Sequence, residues 1–141
     1  MNELEIMSTK KTNPDQKDDV FATGLTAAAE QVHQDNKQKG FWDKEREIGT
    51  LLMLVTSELA EALEADRKGR YAGKIASVDK EEEEFPQWFE QNVKDTFEDE
   101  MADTVIRILD ICGAMDIDLE WHINQKLKYN RSREHKHCKA Y

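Results

Sequence analysis

The sequence predicts an all-α protein built on a four-helix-bundle-like core. Three observations carry that expectation: four stretches repeat apolar residues at helical spacing, no stretch alternates as a strand would, and one long connection separates the second and third strong helices. Residues 1–17 are polar, contain Asn13-Pro14 and show no periodicity, and read as a mobile tail ahead of a helical domain over 18–133. The first helix is expected from Asp18 to about Lys39. Asp18 or Asp19 would cap it, Val20, Phe21, Leu25, Ala28 and Val32 would form its apolar side, and Gly40 would end it. Phe41-Trp42-Asp43 follows as an aromatic connector.

The second helix is expected from about Lys44 to Arg67, with Leu51, Leu52, Val55, Leu59, Ala62 and Leu63 as a broad stripe and Gly69 as the stop. Residues 69–92 read as an insertion or irregular excursion, with a short helical piece after Pro86. The third strong helix is expected over about Val93–Met115, its face defined by Phe97, Met101, Val105, Ile108, Ile111, Cys112 and Met115. The fourth is expected from an N-cap at Asp118 to about Arg131, and residues 134–141 form a basic tail.

Bulk properties narrow the function. The 141 residues suit one domain, and 35% of them are charged against 38% apolar, a balance that predicts a thin core or one completed by another copy of the chain. The formal net charge of -10 disfavours general binding to nucleic acid or to anionic membrane. Cys112 and Cys138 do not make a disulfide framework, and Cys112 reads as a buried core thiol. With no apolar run of membrane-spanning length and no signal-peptide core, the expected compartment is the cytoplasm.

Two carboxylate pairs carry the chemistry. Glu58 and Glu61 are three apart on one helix, and Glu100 and Asp103 are three apart on another, so each pair projects to one side. With Leu51 at zero and about 100° added per residue, Glu58 falls near 340°, inside the apolar stripe, while Glu61 falls near 280°, at its edge. A carboxylate on a buried stripe costs several kcal/mol unless it is paired or bound to a cation. A hard divalent ion with oxygen ligands solves that problem, and Mg²⁺ suits a site that phosphates complete, with Mn²⁺ as a substitute. Thirty acidic residues also generate such pairs by chance, and Glu90, Glu98 and Asp99 read as solvated surface. A basic stretch then reverses the charge: Lys126, Asn130 and Arg133, four and three apart, present phosphate-binding groups on one face. Cations near a helix C-terminus also arise simply because they stabilise it.

Three blocks in this order resemble the MazG-like all-α NTP pyrophosphatase superfamily: Ser57-Glu58-Leu59-Ala60-Glu61-Ala62, then Glu98-Asp99-Glu100-Met101-Ala102-Asp103, then Lys126-Leu127-Lys128-Tyr129-Asn130-Arg131-Ser132-Arg133. The resemblance spans roughly residues 20–135. Ser57 stands where the family often has a further glutamate, and the spacing between Glu61 and Glu100 is longer than the family's, which makes 69–92 an insertion. The resemblance implies Mg²⁺ at Glu58, Glu61, Glu100 and Asp103, hydrolysis of nucleoside triphosphates between the α- and β-phosphates in nucleotide-pool clean-up, and assembly as a homodimer or homotetramer. Within it, Glu61 is the candidate proton acceptor and Lys126 a candidate catalytic cation, with Asn130 and Arg133 on the phosphates. Trp42 is placed at a base-stacking position, although Phe41 and Trp42 also read as a hydrophobic plug between helices.

Other readings remain open. One is a catalytically silent metal-binding helical oligomer or protein-interaction module. Another is a related phosphoribosyl-ATP-hydrolysing enzyme. A ferritin-like di-iron bundle is disfavoured because neither Glu58 nor Glu100 stands in a Glu-x-x-His motif such as Glu30-Gln31-Val32-His33. His135-Lys136-His137-Cys138 lacks a fourth ligand in view.

Overall fold

The computed structural model describes residues 24–73 and 81–133. They form five helices, α1 (Leu25–Gln38), α2 (Ile48–Arg67), α3 (Phe85–Asn92), α4 (Phe97–Ala114) and α5 (Leu119–Ser132), with no strand among the described residues. None of these helices is long and apolar enough to cross a membrane. Both tails, including residues 1–17 and 134–141 with the His135–Cys138 stretch, lie outside the described residues, as do Asp18, Asp19, Val20 and Phe21. The described first helix is preceded by Gly24 at its N-cap.

Helix ends follow from local chemistry. At the end of α2, Gly69 (φ +63°) lets its own N–H reach Asp66 O at 2.9 Å and the Arg70 N–H reach Ala65 O at 2.8 Å, a Schellman motif. Gly40 (φ +81°) closes α1 in the same way, through Gly40 N to Lys37 O and Phe41 N to Asn36 O. Both glycine stops match the sequence expectation. α4 uses Asp116 at φ +53° for the same turn, with Ile117 N on Cys112 O at 2.9 Å. Its start is corrected from Val93 to Phe97. Thr96 caps it by accepting from Asp99 N, and the Asp99 carboxylate accepts in return from Asp95 N at 3.0 Å. Asp118 caps α5 as expected, accepting from Trp121 N at 3.0 Å.

α4 is the central element, packing against α1 on one side and α2 on another, while α5 packs on α1. Among the described residues the buried apolar side chains are Ala28, Ala29, Leu51, Ala62, Ala65, Leu109 and Cys112, and Leu109 is the one large side chain of these that is fully buried. Such a core is thin, as composition predicts, and Cys112 lies in it. The expected α4 face is corrected. Glu100, Thr104, Leu109 and Cys112 are the buried residues, whereas Met101, Val105, Ile108 and Met115 are exposed. The apolar surface of α4 is wider than its two partners cover. On α2, similarly, Leu52, Leu59 and Leu63 stay exposed beside buried Leu51 and Ala62.

The chain after α2 is tied to the start of α4. The N–H groups of Ala72 and Gly73 donate to the Glu98 carboxylate at 2.8 and 3.1 Å, and Phe97 N reaches Arg70 O. Glu98 and Asp99 are therefore structural ties, not idle surface. The backbone donors hold the Glu98 carboxyl below its usual range.

Candidate metal centre and adjoining pocket

α2 delivers Glu58 into its buried face beside Leu51 and Ala62, where the helical count places it. α4 delivers Glu100 beside Thr104 on its own buried face. Because α2 and α4 pack together, Glu58, Glu100 and Asp103 each offer one carboxylate oxygen within 4.8 Å of the others. Glu58 is 6% exposed and Glu100 5%, while Asp103 opens to solvent.

Glu61 is exposed and lies outside that three-residue group, yet its charge still acts on Glu100. Burial, reinforced by the charges of Glu61, Glu58, Asp103 and Asp99, pushes the Glu100 carboxyl up to about 7. Burial and the same acidic neighbours also raise Asp103, against the lowering pull of Arg107. Three hard oxygen donors within 4.8 Å of one another, with their charges forced together, suit a hard cation in chemistry and charge.

Arg107, four residues beyond Asp103 on α4, donates its Nε to the Glu58 carboxylate. It is the cation that compensates this buried acid. Sequence inspection misses it because an arginine on the flank of an apolar helix has many ordinary uses.

Beside the carboxylates lies a pocket of about 230 Å³, lined in part by Trp42, Arg46, Leu51, Asp103, Arg107 and Asp110. Whole-ligand pockets run to about 300–1,000 Å³, so this one is sized for part of such a ligand. Trp42 is anchored in the pocket wall. Its indole N–H donates to both Asp110 oxygens, at 3.0 and 3.1 Å, and its ring lines the pocket with Phe41. Asp110 also takes Asn36 Nδ2 and His33 Nδ1, each at 2.8 Å. His33 packs edge-on to Trp42 with ring centroids 4.9 Å apart, so it faces this region. His33 is thus paired with Asp110, and Glu30 beside it is exposed. Asp110 organises the pocket wall, and nothing in its spacing marks that role in the sequence.

Lys126, Asn130 and Arg133 are not among the groups lining this pocket. α5 is anchored at its start, where Asp118 accepts from Thr26 Oγ1 at 2.8 Å and Glu120 accepts from Leu25 N at 3.0 Å. Farther along, Lys126 and Arg133 lie over the Tyr129 ring at 5.2 and 5.5 Å from its centroid. Comparison with family models, with curated proteins and with solved structures gives no match for this chain.

Proposed function

We propose that this chain is a Mg²⁺-dependent nucleoside triphosphate pyrophosphohydrolase of the MazG-like kind, cleaving dNTPs between the α- and β-phosphates to a monophosphate and pyrophosphate. The observation that carries the reading is the convergence of Glu58, Glu100 and Asp103 from two packed helices beside an aromatic- and arginine-lined pocket. Glu58, Glu100 and Asp103 would hold the cation, and Glu61 would stand at its edge. The bound ion would supply charge neutralisation and a more acidic water.

In this reading water attacks the α-phosphorus as the bond to the bridging oxygen of the pyrophosphate breaks. Glu61, exposed and outside the three-carboxylate group, is the group assigned to accept the water's proton. Trp42 and Phe41 would seat the base. Self-association as a homodimer or homotetramer would cover the exposed apolar residues of α2 and α4. It could also carry Lys126 and Asn130 of α5 and Arg133 at its C-cap to the phosphates of a neighbouring copy.

The test is pyrophosphate release across a panel of dNTPs and NTPs, with and without Mg²⁺, together with Glu58→Gln and Glu61→Gln. Mg²⁺-dependent release that Glu58→Gln lowers by about a hundredfold or more supports the reading, as expected for loss of a metal ligand whose charge serves the transition state. No release from any nucleotide would overturn it. Full turnover in Glu61→Gln would remove the proton-acceptor role alone.

The second reading, a catalytically silent metal-binding oligomer or interaction module, draws on α5. Trp121, Ile123, Leu127 and Tyr129 are all exposed there, as on a helix awaiting a partner. Metal binding without turnover would favour it.

A further inference from the structure

We infer that Arg107 is a placeholder cation, held on Glu58 until a divalent ion takes that carboxylate, and that its guanidinium, with Arg46 on the same pocket, then binds phosphate oxygens of the substrate. The inference rests on the pyrophosphohydrolase reading and assigns the phosphate-binding groups within it.

The geometry sets up the exchange. The Glu58 side chain is 8% exposed and that of Arg107 40%, so the carboxylate forms the floor and the guanidinium the rim. A buried carboxylate needs a compensating charge, and removing one partner of such a pair without replacement is strongly destabilising. Glu58 therefore keeps Arg107 as long as nothing else neutralises it, and a divalent ion shared with Glu100 and Asp103 competes for the same oxygens. Once displaced, Arg107 does not need to travel far, because it already lines the pocket. Arg46 lines the same pocket from the connector side. Its Nε donates to Phe41 O at 2.6 Å, which aims the guanidinium while its terminal nitrogens remain for a ligand. Two guanidinium forks on one small pocket match the bidentate geometry of phosphate oxygens, which a lysine cannot reproduce.

Calorimetric titration separates this role from a merely structural one. Mg²⁺ alone, and inorganic pyrophosphate in excess Mg²⁺, are titrated into the full chain and into Arg107→Ala, Arg107→Lys and Arg46→Ala, with circular dichroism confirming the helices. Arg107→Ala should bind Mg²⁺ at least as tightly as the parent, since a competitor is gone. It should bind pyrophosphate about tenfold or more weakly, the scale of a lost charge-assisted hydrogen bond. Arg107→Lys retains a cation for Glu58 and so keeps the fold even if the alanine variant does not. It too should lose pyrophosphate affinity, and Arg46→Ala should lose it in the same direction.

Weaker Mg²⁺ binding in folded Arg107→Ala would mean that Arg107 only positions Glu58, and would overturn the inference. So would pyrophosphate affinity that none of the three variants changes. These failures leave Mg²⁺-dependent hydrolysis by the parent chain untouched. Arginine-dependent pyrophosphate binding in a parent that hydrolyses no nucleotide would instead sink the enzymatic reading and leave the arginine site standing.

Discussion

The indole N–H of Trp42 is shared between the two carboxylate oxygens of Asp110, which bolts the connector after α1 to the C-terminal part of α4. An ionised carboxylate only accepts, so its partners are fixed in orientation: His33 carries its proton on Nδ1, and Asn36 turns Nδ2 to Asp110 and keeps its carbonyl oxygen for other partners. Asp110→Ala leaves three donors without their acceptor. The expected loss of stability is about 1–3 kcal/mol, the cost of orphaning partly buried polar groups, with a change in tryptophan fluorescence as Trp42 loosens. Thermal melts and emission spectra check this. If Asp110→Ala melts with the parent and Trp42 emission is unmoved, the bolt contributes nothing. In the enzymatic reading, Trp42→Ala should also flatten the preference among dNTPs.

The carboxylate cluster has a pH signature of its own. Glu100 goes from 4.5 to about 7 in the folded chain, so between these values the folded state holds a proton that the unfolded state has lost. Stability in the absence of divalent cation should therefore be fullest below about 4.5 and fall as pH rises through about 7. Asp103, also raised, adds in the same direction. Glu98 and Asp118 are lowered and act oppositely, but in the acid range below their ordinary values. Mg²⁺ requires the deprotonated carboxylates, so its affinity should climb across the window in which unliganded stability falls. Melting temperatures at pH 5 to 8 with chelator and with Mg²⁺ test both slopes. Glu100→Gln should abolish most of the first, and a chelator series that is flat with pH would contradict the burial of Glu100.

Glu58 was legible in the sequence because helical periodicity alone puts it among Leu51 and Ala62, and a charge there demands a partner. The glycine stops at Gly40 and Gly69 were legible because few other residues take the left-handed turn. Arg107 and Asp110 were not. Their importance comes from which helix lies across from them, and local sequence carries no record of that. The α4 face was misread for a related reason. Periodicity reports that Met101, Val105 and Ile108 form a stripe, but it does not say whether the same chain covers it. The basic α5 cluster shows the same limit, since a charge reversal marks a surface without saying which site it serves.

The exposed stripe leads to a prediction about assembly. Leu52, Leu59 and Leu63 on α2 and Met101, Val105 and Ile108 on α4 remain open, while among the described residues Leu109 is the one large side chain that is fully buried. Burying a fully exposed large apolar side chain is worth about 1.5–3 kcal/mol, and these six, each about half-exposed, have roughly half of that left to gain, which together still drives association. Light scattering coupled to size exclusion should give a dimer or tetramer. Leu59→Glu together with Val105→Glu should shift it toward monomer while the helical signal persists. A parent chain that is monomeric at high micromolar concentration would remove self-association from the proposal.

A close approach of α1 and α4 at Gly113 supplies a stability test. A Cβ placed on Gly113 of α4 would collide with the Ala29 carbonyl oxygen on α1 and lie 2.6 Å from His33 Cβ. Backbone cannot rotate away as a side chain can, so α1 and α4 would have to separate, and Ala29, Leu109 and Cys112 sit at that contact. Gly113→Ala should cost about 1–3 kcal/mol or more despite the better helix propensity of alanine. It should also disturb the pocket wall, because His33 reaches Asp110 across the same interface. Gly49, on α2 with nothing near its added methyl, makes the matched control. Gly49→Ala should be neutral or stabilising by up to about 1 kcal/mol, through helix propensity alone. Denaturant unfolding of both variants measures the difference, and equal stabilities would mean that α1 and α4 do not meet as closely as Gly113 implies.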